Sequence, residues 1–158
     1  DPHPGNYLLT DDGRLAVIDF GSVARLPDGA PRIIGKVTRL ALEGHADLVV
    51  EALRGEGFIP PGYHPDPELL MDYVVPFVEP LRHETFHFTR SWMQAQFARM
   101  SDFSSEESRV ARHLNLPPSY LLIHRVTLGS VAVMCQLDTN APFREIVSAH
   151  LAGFHDPR

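Results

Sequence analysis

Apolar and polar residues alternate in different rhythms at the two ends of this chain. Two short apolar runs stand near the front, Tyr7-Leu8-Leu9 and Leu15-Ala16-Val17-Ile18, separated by a polar stretch containing Asp12-Gly13. Such runs joined through an Asp-Gly turn predict a β-hairpin. After Gly21 the rhythm changes to helical spacing. Ile34, Val37, Leu40 and Ala41, then Leu48, Val49, Ala52 and Leu53, predict a helix from about Pro31 to Arg54 that Gly44 breaks or bends and Gly55 or Gly57 ends. Asp66-Pro67-Glu68 is a helix start, with a cap, a first-turn proline and an acid at the positive end; Pro76 should kink or stop that helix.

Further helices are expected over Thr89 to Met100, after a Ser104 or Ser105 cap, from Pro117 to about Leu137, and over Ala141 to Phe154. No second cluster of strands is visible. The expectation is a mainly α architecture, with a small β-hairpin in front of six or seven helices. That is the layout of the C-terminal lobe of a protein-kinase-like fold. The aromatic set Phe88, Trp92, Met93 and Phe97 has helical spacing and is expected in the core, the alternative being a stripe that faces a membrane or an isoprenoid.

A length of 158 residues suits a single domain, 1–158, divided into loops and hairpin over 1–29 and helices over 30–158. A net charge of −6 speaks against nucleic acid as a partner, because phosphate backbones attract basic surfaces. Cys135 stands alone, so neither an internal disulfide nor a cysteine-rich zinc site can form within the chain. The longest apolar run, Tyr120 to Leu137, is interrupted by His124 and Arg125 and is expected as a buried or amphipathic helix.

The front of the chain also carries candidate chemistry. Asp1 is followed five positions later by Asn6, and Asp19-Phe20-Gly21 follows the predicted hairpin. Phosphoryl transfer asks a protein to hold magnesium against phosphates and to orient a nucleophile, and hard oxygen donors serve magnesium best. A loop Asp, an Asn five positions on, and an Asp-Phe-Gly after a short hairpin are the protein-kinase solution. Each element alone is common; their order, spacing and intervening hairpin agree here.

A rival motif is His83-Glu84-Thr85-Phe86-His87, which matches the zinc-peptidase pattern, with Glu107 as a third ligand. Two imidazoles four residues apart share a face only on a helix. Pro80 and the β-branched and aromatic residues nearby are poor helix formers, so the stretch also reads as a loop leading into the helix at Thr89.

The segments Asp1-Pro2-His3-Pro4-Gly5-Asn6 and Val17 to Leu26 resemble the UbiB family of atypical kinase-like proteins, also called aarF-domain kinases. Leu40 to Phe58 and Leu116 to Asp138 extend the resemblance over most of the chain. It implies that Asp1 orients or deprotonates a nucleophile, that Asn6 and Asp19 bind Mg2+ and thereby ATP, and that Gly21 completes the metal-loop turn. His3 stands where ordinary protein kinases have a lysine; it acts on the phosphate or fixes the loop through hydrogen bonds. The resemblance also implies a link to isoprenoid-quinone biosynthesis and a cytoplasmic protein with peripheral membrane association. Its partners would be ATP or ADP, isoprenoid lipid and quinone-pathway proteins. The nucleotide-covering loop, the strand lysine and its glutamate partner are expected upstream of Asp1, in an N-terminal lobe absent from this chain. The uncovered face would then be partly apolar and promote homo-oligomers. No Ala-Pro-Glu follows Gly21, unlike a peptide-binding activation segment. The alternative from another class is a non-catalytic pseudokinase scaffold.

Overall fold

The computed structural model describes residues 2–156, so Asp1 lies outside the described residues. The hairpin forms as β1 (Tyr7–Leu9) and β2 (Leu15–Val17), antiparallel, with Tyr7 opposite Val17 and Leu9 opposite Leu15. Its turn is closed by Thr10, whose N–H donates to Arg14 O at 2.9 Å and whose hydroxyl oxygen accepts from Arg14 N–H at 3.1 Å. Seven α-helices follow among the described residues: α1 (Arg32–Glu43), α2 (Ala46–Gly55), α3 (Pro67–Val78), α4 (Arg90–Met100), α5 (Glu106–His113), α6 (Leu121–Gln136) and α7 (Phe143–His150). The fold is mainly α with a small β-hairpin, as the pattern predicts.

Sequence signals set most of the boundaries. Gly44 adopts a left-handed conformation with φ of 78° and splits the expected long helix into α1 and α2. Gly44 N–H donates to Ala41 O at 3.3 Å and His45 N–H to Leu40 O at 2.9 Å, the paired bonds of a Schellman ending. Asp66 caps α3 by accepting from the N–H groups of Glu68 and Leu69. Thr89 caps α4 and Ser105 caps α5 in the same manner. Pro76 stands in the last turn of α3, which runs two residues further and passes into a 3-10 turn at Glu79–Leu81. The ring costs the one bond that an N–H at this position would make to the Asp72 carbonyl, and the helix ends within the same turn.

The core lies at the rear, where α1, α2, α3 and α5 meet. Leu40, Ala41, Val49 and Leu70 are fully buried there, packed with Val74 and Val110. Burying a leucine or valine fully is worth about 1.5–3 kcal/mol, so these side chains dominate the stability of the helical part.

One expectation fails. A second two-stranded sheet exists, β3 (Phe86–His87) with β4 (Asn140–Ala141). Phe88 N–H extends it to Thr139 O at 2.9 Å. The two strands lie more than fifty residues apart, and neither has enough residues to show a period of two. Their pairing draws Phe86, Phe88, Trp92 and Phe143 into one edge-to-face cluster with centroids 4.8–5.4 Å apart.

Candidate functional site

The site begins with a turn. His3 precedes a 3-10 turn over Pro4–Asn6, and its ring Nδ1 accepts the N–H of Gly5 at 3.1 Å. Asn6 N–H donates to His3 O at 2.9 Å. A proline at the first position of the turn has no N–H to satisfy, and the histidine side chain takes up the next one. The loop-fixing hydrogen bond considered for His3 is therefore present.

The hairpin then joins this turn to the second half of the motif. Tyr7 pairs with Val17, and one step outward Ile18 N–H donates to Asn6 O at 2.9 Å. Register alone thus places Asn6 and Asp19, thirteen residues apart in sequence, at the same end of one two-stranded ribbon. Asp19 Oδ1 accepts the N–H of Gly21 at 2.8 Å, and Gly21 turns the chain with φ of 58°. That bond holds the carboxylate in one orientation. No other side-chain bond of Asp19 occurs among the described residues, which leaves Oδ2 for a cation.

Behind these residues lies a cavity of about 390 Å³, bounded by Pro2, Asp19 and Phe20 on one side and by Ile123, Thr127 and Ser130 of α6 on the other. Its size is that of a small-molecule site. An amide oxygen and a carboxylate at one ribbon end are hard donors that fit Mg2+. Ser22, Val23, Ala24 and Leu26, from a segment without regular structure, also line the cavity.

The zinc geometry is not realised. His83, Glu84 and His87 lie in bends and in β3 rather than on a helix, so the two imidazoles do not project from consecutive turns. His87 Nε2 instead approaches Asp138 Oδ1 at 3.0 Å, and Glu107 sits in the first turn of α5. Among the described residues no group of three or more His, Cys, Asp and Glu side chains is placed to hold a metal. The local sequence explains this: Thr85, Phe86, Phe88 and Thr89 favour extended backbone.

The expectation of a core stripe on α4 is also corrected. Phe88 is buried, but Phe97 is 63% exposed, and α4 contains no buried residue. Trp92, Met93 and Phe97 line a groove of about 190 Å³ closed by Phe77, Leu128 and Val131. At its edge, Glu79 Oε2 accepts from Trp92 Nε1 at 3.0 Å. His124 and Arg125 are both exposed on α6.

His124 and Arg125 are the residues of α6 whose sequence context suggests a pocket, but neither lines the site cavity. Leu122, Ile123, Val126, Thr127 and Ser130 form one wall of the site cavity. The available signal was Gly129 inside an apolar helix, a residue that often marks a close approach.

Known proteins resemble the chain at several ranges. A stretch of 41 residues, a quarter of the chain, is 54% identical to Protein ACTIVITY OF BC1 COMPLEX KINASE 3, chloroplastic, of Arabidopsis thaliana, of which it covers 6%. That match is confined to one segment of a protein named as a kinase. Over 152 residues the chain is 26% identical to the uncharacterized protein slr1919 of Synechocystis sp., spanning 96% of this chain and 25% of that protein. Among solved structures, the Rv3197–erythromycin complex of Mycobacterium tuberculosis superposes with a TM-score of 0.81 at 34% identity, over 98% of this chain and 38% of that one. The chain thus spans well under half of each of these longer relatives. No protein-family model matches it. Among the described residues no helix is long and apolar enough to cross a membrane.

Proposed function

We propose that this chain carries the magnesium-binding half of a UbiB-type atypical kinase or ATPase. The observation that supports it is the hairpin register, which sets Asn6 beside the strand end leading into Asp19. In this reading Asn6 and Asp19 hold Mg2+ through their side-chain oxygens, Gly21 fixes the Asp19 carboxylate, and His3 fixes the turn that presents Asn6. Asp1 orients or deprotonates the nucleophile. Mg2+ held there would supply positive charge against the phosphates.

Thermal unfolding with Mg2+ and ADP tests this. A ligand bound only to the folded chain raises the midpoint, by about 2.7 kcal/mol of stability at a hundredfold excess over Kd. The rise should require Mg2+ and vanish in Asp19→Asn. A full-length homologous protein that shows no such shift would favour the pseudokinase scaffold.

For the isoprenoid partner, the α3–α4–α6 groove is the element with suitable chemistry. Its walls are apolar, and the Mycobacterium tuberculosis neighbour was solved with erythromycin, itself a large amphipathic molecule. Trp92 is the one tryptophan of the chain and lines that groove, so its emission reports occupancy directly. A short-chain ubiquinone should quench it, and Phe97→Glu should weaken the quenching. The exposed apolar side chains around the hairpin, including Leu9 and Phe20, are the surface through which copies would associate and through which a membrane would be approached.

A further inference from the structure

Helix α6 shares the site cavity with Pro2, the residue that leads into the turn presenting Asn6, and it meets Pro2 at Gly129. A Cβ built at Gly129 would lie 2.4 Å from Pro2 Cγ, 3.3 Å from Pro2 Cδ and 3.2 Å from the Pro2 carbonyl oxygen. Carbon atoms in contact settle at roughly 3.5–4.0 Å, so the pair would have to separate by more than an ångström. A long side chain could swing aside. Pro2 cannot, because its ring is closed onto the backbone and two of the three crowded atoms are tied to main-chain geometry. The strain would therefore go into the segment itself, or into α6.

Helix propensity gives no reason for the residue. Glycine inside a helix is less favourable than alanine, and Gly129 sits well within α6, Leu121–Gln136. Next to it Ser130 lines the site cavity, so one turn of α6 supplies both a wall of the site and the seat for Pro2. Pro2 leads straight into His3, whose ring and carbonyl close the turn at Asn6.

We propose that Gly129 is a positioning residue, the seat that sets the depth of the Pro2–Asn6 loop against α6 and hence the placement of Asn6 relative to Asp19. The claim rests on the magnesium-site reading for its functional consequence, but the placement of the loop is measurable without nucleotide. A displacement of about 1 Å in a positioned group costs on the order of 10²-fold in a reaction that depends on it.

The experiment is amide hydrogen exchange on the chain, comparing wild type, Gly129→Ala, and Gly129→Ala combined with Pro2→Ala. Pro2→Ala removes Cγ and Cδ, the two ring atoms that crowd position 129. In Gly129→Ala the amides of Asn6 and Ile18, which bond His3 O and Asn6 O, should exchange about tenfold faster, while those of α1 to α3 stay unchanged. The double variant should return most of that protection. Unchanged exchange at Asn6 and Ile18, faster exchange with no rescue, or uniform acceleration through α1 to α3 would each overturn the proposal. Mg2+-dependent ADP binding is measured in parallel, where Gly129→Ala should weaken affinity about tenfold relative to wild type. Failure of the wild type to bind ADP would count against the magnesium-site reading, with the exchange data still deciding the role of Gly129.

Discussion

The rear and the front of this molecule treat apolar residues in opposite ways. At the rear, Leu40, Val49 and Leu70 from three helices are wholly withdrawn from water. At the front, Leu9 is 73% exposed and Phe20 71%, and the hairpin strands hold no buried residue. The helical part is a completed core, stabilised by its own side chains. The hairpin is held by its backbone bonds, and most of its apolar side chains are exposed. The rear therefore sets stability, while the front carries the candidate chemistry on a scaffold that contributes little to it. Binding elements drawn from the weakly stabilised end of a fold can adjust to a ligand or to further protein surface.

This contrast can be broken most strongly at Leu70. Leu70→Ala should cost about 2–5 kcal/mol, because a fully buried leucine leaves a cavity when truncated. Denaturant titration at constant m-value measures it. Leu9→Ala, also an apolar truncation but at an exposed site, should change stability by less than about 0.5 kcal/mol. Equal losses at the two positions would refute the division into rear and front. Next in size is the α3 cap. Asp66→Ala removes the acceptor for two orphan N–H groups and should cost about 1 kcal/mol in the same titration.

The smallest effect is one of pH and concerns the closure of the rear by the C-terminal turn. Arg32 Nε donates to Asp156 Oδ2 at 2.8 Å, and Arg39 donates to Asp156 O at 2.9 Å. The Arg32 guanidinium holds the Asp156 carboxyl below the ordinary value of 3.8. A carboxylate with a lowered folded-state value adds stability that is present above its unfolded pKa and is lost as pH falls through the folded one. The loss should thus appear below about pH 4. Arg32→Gln should flatten that part of a pH series of thermal midpoints and lower the neutral-pH midpoint by the same small amount that acidification costs the wild type.

The local features were legible in the sequence because their causes are local. Asp66-Pro67-Glu68 contains its own capping acceptor, and Gly44 has the freedom at positive φ that ends a helix. Asp12-Gly13 with apolar runs on both sides makes the hairpin. The candidate site was legible for the same reason: the separation of Asn6 from Asp19 is spanned by one ribbon, so short-range register suffices to bring them to one end. The zinc-like motif failed as the sequence allowed, because residue spacing carries meaning only once the backbone is helical, and the residues around Thr85 and Phe86 extend instead.

What the sequence by itself determined is therefore the order of elements, most of their ends, and the meeting of Asn6 with the strand that leads to Asp19. Tertiary structure alone decided the pairing of β3 with β4, the outward face of Phe97 and the resting of Pro2 on Gly129. Those three depend on surfaces far apart in the chain. Their free energy comes from packing and exclusion between partners, and no window of neighbouring residues contains both sides of such a contact.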